Sequence, residues 1–202
     1  VVDCSTIAPD VARRIAARLA EAGSHFIDAP VSGGEQGARD ATLAIMAGGE
    51  AAALERVRPL LQCLGLRIVH IGPSGAGQVA KACNQMIMVA AIEAAAEALR
   101  LAEGAGVDPA KVRDALAGGS AGSKVLDIMG QRMVDRDFSA GIEARLHHKD
   151  FGLVLEAARR SGSPVPLAAA VSQQLNALMA LGWGKEDTAS LLRVLERLGV
   201  AS

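Results

Sequence analysis

The first 72 residues alternate short apolar runs with stretches in which apolar residues recur every three or four positions. The runs VVDCS, HFIDAPV, TLAIMAGG and RIVHIG are typical of β-strands, and residues 9–22 and 50–63 are typical of amphipathic helices. Strands that alternate with helices predict an α/β layer structure. Because the sequence opens inside a strand, we interpret residues 1–72 as the back part of an α/β domain whose front part precedes this chain.

After residue 72 the pattern predicts helices only. Residues 78–103 contain neither proline nor glycine, which predicts one helix of roughly 26 residues and about 39 Å. Its segment 82–92 carries no charge, which indicates that this part of the helix is buried on all sides by another domain or a second subunit. Further helices are predicted at 109–117, 124–134, 146–160, 166–181 and 186–198. We therefore predict an all-α domain over residues 73–202.

Charge and composition argue against several kinds of partner. Lys and Arg total 21 against 22 Asp and Glu, so the net charge of −1 provides no overall attraction to nucleic acid or an anionic membrane. No apolar stretch approaches the roughly 20 residues that a membrane-spanning helix needs. The three cysteines are far apart, which favours reduced, buried thiols in a cytoplasmic protein.

A first candidate site is the segment DAPVSGG at residues 28–34, where two glycines follow a predicted strand. Glycine lets a ligand approach the backbone closely, and N–H groups exposed at such a turn bind anions. In doubly wound sheets, ligands also lie beyond the carboxyl ends of strands. Ser32, Gly33 and Gly34 are therefore candidate anion ligands, although such a segment taken alone is more often a simple turn.

A second candidate site lies at the start of the long helix, in GPSGAGQVAKACNQ. Lys81 and Asn84 are three residues apart and share a helix face. The positive end of the helix dipole and desolvation both disfavour a protonated amine, which suits a lysine that acts as acid or base near neutral pH. Only five of the 21 basic residues are lysines, and Lys81 has apolar neighbours, which favours a chemical role over a solvated side chain.

A third segment, HHKD at residues 147–150, carries two adjacent histidines. Adjacent side chains on a helix point in different directions, and no carboxylate lies at a matching spacing, so we expect no metal site. We place His147 and His148 at a surface or an interface. The string GPSGAG is not a dinucleotide fingerprint, because no acidic strand end follows it within a βαβ unit.

Together and in this order, the three segments resemble motifs of the β-hydroxyacid dehydrogenase family, which includes 3-hydroxyisobutyrate dehydrogenases and tartronate semialdehyde (2-hydroxy-3-oxopropionate) reductases. DAPVSGGEQGARDATLAIMAGG is similar to its substrate-loop motif, GAGQVAKACNQ to its catalytic-lysine motif and LHHKDFGLVLEAA to its third motif. The resemblance covers essentially the whole chain. It implies that residues 1–72 are the remainder of a Rossmann-like dinucleotide-binding domain, and that residues 73–202 are an all-α substrate and oligomerisation domain entered through a long interdomain helix.

The resemblance also implies an NAD(P)-dependent oxidoreductase that transfers a hydride between the nicotinamide and a small β-hydroxyacid or semialdehyde. The substrate would be 2-hydroxy-3-oxopropionate or 3-hydroxyisobutyrate. Lys81 would be the general acid/base, and Asn84 would orient the substrate or Lys81. Ser32, Gly33 and Gly34 would hold the substrate carboxylate, and no metal would take part.

On the cofactor side, the resemblance implies that Thr6, in the STIAP loop, contacts the dinucleotide and that Lys149 closes over it from the helical domain. The family's N-terminal strand with its G-x-G-x-x-G pyrophosphate loop has no counterpart in these 202 residues. We therefore expect the chain by itself to be inactive, and the choice between NAD and NADP to depend on residues upstream. We also expect a homo-oligomer, either a dimer or a tetramer.

Three other functions share this kind of fold. A non-catalytic scaffold relative would be expected to lack the lysine, and an imine reductase usually has a different proton donor. Decarboxylation of the 6-phosphogluconate type needs more cationic phosphate contacts than the sequence offers. Lys81 therefore favours the hydroxyacid dehydrogenase over the scaffold and the imine reductase.

Overall fold

The computed structural model describes residues 1–199, which form two compact units. The first unit comprises Val1–Gln85 with Leu153–Pro164, and the second comprises Met86–Gly152 with the chain from Val165 onward. No helix within the described residues combines the length and the apolar character that a bilayer crossing requires.

The sheet of the first unit is built around its fourth strand. The strands are β1 (Val2–Asp3), β2 (Ile27–Asp28), β3 (Val31–Ser32), β4 (Ala44–Gly48) and β5 (Arg67–Gly72). Strand β4 pairs antiparallel with β2 and β3 and parallel with β5, while β1 pairs parallel with β2. The predicted strand HFIDAPV is divided into β2 and β3 at Pro30, because proline has no backbone N–H to donate to a ladder.

Three helices accompany this sheet: α1 (Pro9–Glu21), α2 (Gly34–Arg39) and α3 (Ala51–Gln62). Leu54 and Leu61 of α3 pack with Ile27 and Ile45 in one buried apolar cluster, which explains the apolar period of this segment. The sequence did not predict α2, because its two glycines disfavour a helix. One of them, Gly37, is buried, and a Cβ there would lie 3.2 Å from the Leu43 side chain.

The remaining helices follow the predicted pattern closely. They are α4 (Ala76–Gly104), α5 (Pro109–Ala117), α6 (Gln131–Val134), α7 (Ala144–Ser161), α8 (Pro166–Ala180) and α9 (Leu191–Leu198). A π-helical turn, Leu126–Gly130, leads into α6, and a 3-10 turn, Thr188–Ser190, leads into α9. Helix α4 has 29 residues, somewhat more than the pattern predicts.

Within this chain the segment 82–92 is covered on one side only, since Ile92 is fully buried but Ile87 is 72% exposed, and its cover by another domain or subunit stays a prediction. Two other expectations about burial are corrected. His147 is buried rather than superficial, because it lies on the core-facing stripe of α7 with Phe151, and its Nδ1 lies 2.6 Å from Thr188 Oγ1. The three cysteines are free, as expected, but exposed, because none lies on a core-facing position.

Glu93 is a buried carboxylic acid in the middle of α4. It is 4% exposed, and neither of its carboxylate oxygens has a hydrogen-bond partner among the described residues. Desolvation raises its pKa from 4.5 to about 7, and the charge of Glu97, one turn further along, raises it as well.

The variant Glu93→Gln should therefore remove a pH-dependent loss of stability. The native protein holds a proton on Glu93 that the unfolded chain releases above pH 4.5. The pKa shift of Glu93 therefore contributes about 3 kcal/mol to the free energy of unfolding below pH 4.5, and this contribution is lost as the pH rises to about 7. Urea unfolding at pH 4.5 to 7.5 should show that the free energy of unfolding of the variant increases relative to that of the wild type as the pH rises.

Glu97→Gln is the matched control, because Glu97 is exposed and only the secondary cause of the pKa shift. It should retain most of the wild-type pH dependence. The same pH dependence in Glu93→Gln as in the wild type would contradict the assignment.

Candidate active site

Helix α4 begins at a buried carboxylate. Asp28, the last residue of β2, is 0% exposed. Its Oδ1 accepts the N–H of Gly75 at 2.7 Å, and its Oδ2 accepts the N–H of Gln78 at 3.1 Å. Because the first N–H groups of a helix lack intrahelical partners and carry partial positive charge, a carboxylate is stabilised at this position. Burial raises the pKa of Asp28, and these backbone hydrogen bonds oppose the increase.

Two glycines make room for this carboxylate. A Cβ on Gly48, in β4, would lie 2.7 Å from Asp28 Oδ1, and a Cβ on Gly77 would lie 2.8 Å from Oδ2. Either separation is shorter than a carbon–oxygen contact allows. Gly48 and Gly77 are therefore explained by the close approach of Asp28.

Lys81 lies in the second turn of α4, beside the segment that was predicted to bind the substrate. It is 8% exposed, and its Nζ donates to the carbonyl oxygen of Val31 at 2.8 Å. Val31 precedes Ser32 in β3, so the ammonium lies next to the Ser32–Gly34 segment. Asn84, one turn further along α4, is partly exposed and donates through Nδ2 to Gln85 Oε1 at 2.9 Å.

The turn after Ser32 requires both of its glycines. Gly33 has φ of 142° and Gly34 has φ of 64°, values that other residues rarely adopt. A Cβ on Gly33 would also lie 2.9 Å from Leu43 Cδ2. Two successive residues with positive φ hold the backbone in one well-defined turn beside Lys81.

The loop after β1, which carries Thr6, is tied to α4 by Gln78. Gln78 is 2% exposed; its Oε1 accepts the N–H of Ile7 at 3.1 Å, and its Nε2 donates to the carbonyl oxygen of Ser5 at 2.8 Å. Sequence reasoning missed both Gln78 and Asp28. Signals were present, since Gln78 shares a helix face with Lys81 and Asp28 is an acid inside an apolar strand.

The last predicted residue, Lys149, lies on α7 in the second unit. Its side chain is exposed, and Nζ is 3.0 Å from Asp150 Oδ1. Thr6, Ser32, Gly33, Gly34, Lys81 and Asn84 all lie in the first unit. The contact of Lys149 with a cofactor stays a prediction.

Comparison with known proteins identifies the kind of molecule to which these residues belong. Residues 75–195 match the family model described as NAD-binding of NADP-dependent 3-hydroxyisobutyrate dehydrogenase. Residues 1–72 match the NAD binding domain of 6-phosphogluconate dehydrogenase. The fold is thus an NAD-binding Rossmann-like domain followed by a helical domain, as predicted.

Individual relatives agree with these models. The chain is 43% identical over 196 residues to a 2-hydroxy-3-oxopropionate reductase of Escherichia coli, covering 97% of this chain and 67% of the relative. It is 40% identical over 176 residues to a 3-hydroxyisobutyrate dehydrogenase of Pseudomonas aeruginosa, covering 84% and 59%. A crystal structure of a 3-hydroxyisobutyrate dehydrogenase from Salmonella typhimurium superimposes with a TM-score of 0.90 at 32% identity, covering 96% and 68%.

Fold and relatives together place the chain in a class of NAD(P)-dependent oxidoreductases. The chain belongs to the β-hydroxyacid dehydrogenase family, which includes 3-hydroxyisobutyrate dehydrogenases and 2-hydroxy-3-oxopropionate reductases. The predicted family, fold class, cofactor and class of enzyme are thereby confirmed. The chain spans about two thirds of the length of the relatives it matches.

The residues present fit one edge of a dinucleotide site. The loop after β1 follows the carboxyl end of a strand that is paired in parallel, where such sheets bind their ligands. It carries the exposed Ser5 and the partly exposed Thr6 on a backbone that Gln78 holds in place. The first N–H groups of α4 cannot serve a phosphate, since Asp28 already accepts from them.

The variant Asp28→Asn tests the capping of α4. An amide presents only one acceptor atom to the N–H groups of Gly75 and Gln78, and its NH₂ group opposes the other. We expect a loss of about 1–3 kcal/mol in the free energy of unfolding, the usual result of leaving a buried donor unpaired. Urea unfolding at pH 7 measures it.

The control is Asp108→Asn at the start of α5, where the Asp108 side chain accepts from the N–H of Ala110 on the surface. Asparagine caps an exposed helix as well as aspartate does, so this variant should be nearly neutral. Equal stabilities of the two variants would show that the buried carboxylate is not needed.

Proposed function

We propose that this chain supplies the proton-transfer residue and the substrate-binding turn of a dehydrogenase that interconverts a small β-hydroxyacid and its semialdehyde. The preferred substrate is 2-hydroxy-3-oxopropionate, and 3-hydroxyisobutyrate is the alternative. The observation that carries the proposal is the position of Lys81, whose Nζ is held 2.8 Å from the Val31 carbonyl, directly beside the Ser32–Gly34 turn.

A nicotinamide, when bound, would supply or accept the hydride, and the residues of this chain would transfer the proton and stabilise the charge. In the direction of reduction, protonated Lys81 donates to the oxygen that becomes the hydroxyl and stabilises its developing negative charge. In the direction of oxidation, neutral Lys81 removes the hydroxyl proton. The low exposure of Lys81 keeps bulk water away from this transfer and strengthens its electrostatic effect.

The substrate carboxylate binds at the turn next to the lysine. The Ser32 hydroxyl and the backbone N–H groups of Gly33 and Gly34 are the donors that this turn offers, and its positive φ values fix their directions. Asn84 orients the substrate or Lys81 from the next turn of α4. On the cofactor side, the proposed contacts with the dinucleotide are Thr6, in the loop after β1, and Lys149, on α7.

Replacing Lys81 tests this function. In the full-length protein, Lys81→Ala should lower kcat with 2-hydroxy-3-oxopropionate by about 10²–10⁴, because the alkoxide loses its proton donor, while the dissociation constant of NADPH or NADH stays close to the wild-type value. Lys111→Ala, which removes an exposed lysine on α5, is the control and should retain wild-type turnover. Wild-type turnover in Lys81→Ala would exclude the mechanism.

We also propose that the protein is a homo-oligomer of the cytoplasm. The exposed side of α4 carries an apolar stripe, in which Ile87, Ala94 and Leu101 repeat every seven residues. Ile87 and Leu101 are 72% and 75% exposed, and a second copy of this helix is the partner that such a repeat suits. Free, exposed cysteines among the described residues suit a reducing compartment.

The double variant Ile87→Asp, Leu101→Asp tests this surface. Light scattering should give the mass of a dimer or tetramer for the full-length wild type and a smaller mass for the double variant, because buried charges would destabilise the interface. Leu60→Asp is the control, since Leu60 is 68% exposed on α3 and lies outside the stripe. A monomeric wild type at micromolar concentration would contradict oligomerisation and leave the enzymatic proposal untouched.

A further inference from the structure

Gln78 is a buried amide whose two polar atoms both serve another part of the chain. Its Oε1 accepts the N–H of Ile7 and its Nε2 donates to the carbonyl of Ser5, so both bonds reach more than 70 residues back along the sequence. The bonded groups lie on either side of Thr6. The backbone at Thr6 therefore cannot move away from α4 without breaking at least one of these bonds.

The same residue is fixed to the helix that carries Lys81. The backbone N–H of Gln78 donates to Asp28 Oδ2, and Lys81 follows three residues later on the same face of α4. Lys81 in turn donates to Val31, beside the substrate turn. Gln78 is thus the side chain that joins the loop of Thr6 to the first turns of the catalytic helix.

We propose that Gln78 is a positioning residue for the cofactor: it holds the Ser5–Ile7 loop at the distance from Lys81 that lets the loop bind the dinucleotide. This inference rests on the proposed function of the loop. An amide is suited to the task, because it is a neutral side chain that donates with one atom and accepts with the other. A side chain needed only to fill this buried space could be apolar and would leave no polar atom to satisfy.

The first experiment is Gln78→Met in the full-length protein, a substitution of similar length that removes both hydrogen bonds. Calorimetric titration with NAD⁺ and NADP⁺ should show the dissociation constant of the preferred cofactor raised about tenfold or more. With saturating cofactor, the pH profile of kcat should stay that of the wild type, because Lys81 is unchanged.

Leu61→Ala is the matched control for a simple loss of stability. Leu61 lies on α3 in the same unit and is buried in the apolar cluster. It should lower the melting temperature at least as much as Gln78→Met does, because it leaves a cavity in the core, but leave the dissociation constant at the wild-type value. If both variants weaken cofactor binding equally, Gln78 has only a structural role and the proposal fails.

The second experiment separates the two hydrogen bonds. In Gln78→Glu the carboxylate still accepts from Ile7, but its other oxygen faces the Ser5 carbonyl and can donate only when protonated. Binding of the oxidised cofactor, as a ratio to the wild type, should therefore be weaker at pH 8 and recover toward pH 5.5. A ratio that does not change with pH would contradict the role of the Ser5 bond.

These outcomes are independent of the catalytic lysine. If Lys81→Ala kept full turnover, the proposed proton transfer would be excluded. A dissociation constant of the cofactor that depends on Gln78 would still support the positioning role. Conversely, unchanged cofactor binding in Gln78→Met together with an inactive Lys81→Ala would remove only the positioning role.

Discussion

The contact between the buried carboxylate of Asp28 and the first turn of α4 is the interaction on which the candidate site depends. It ties the end of a central strand to the start of the longest helix. Gln78 and Lys81 lie within the first two turns of that helix, so their positions relative to the sheet follow from where Asp28 holds its N-terminus. Gln78 then forms a hydrogen bond with the loop of Thr6, and Lys81 forms one with the strand that leads into the turn after Ser32.

The contact of Asp28 with α4 both stabilises the fold and has a free-energy cost. Removing the Asp28 carboxylate from water costs free energy and raises its pKa, and the backbone N–H groups that donate to it oppose this increase. The hydrogen bonds form because Gly48 and Gly77 leave space that any side chain would fill. The glycines around this site thus serve the packing of an acid against a helix, while those after Ser32 serve a turn.

The candidate site could be predicted from the sequence only in part. Lys81 stood out because a rare lysine follows a glycine turn among apolar residues, and Ser32–Gly34 because two glycines follow a strand. Gln78 and Asp28 did not, because their roles arise from partners 47 or more residues away that no local pattern reveals. For the same reason His147 was misplaced, since its partner Thr188 lies on a later segment.

The sequence by itself determined most of the helices and strands and the family, and it indicated Lys81 as the candidate catalytic residue, because periodicity and short motifs are local properties of the chain. Tertiary structure alone decided that the glycine-containing segment at α2 is helical and that the cysteines are exposed. It also decided which buried polar groups meet. The physical reason is that burial and hydrogen bonding depend on residues brought together from distant positions, and these close approaches are encoded in no single stretch of sequence.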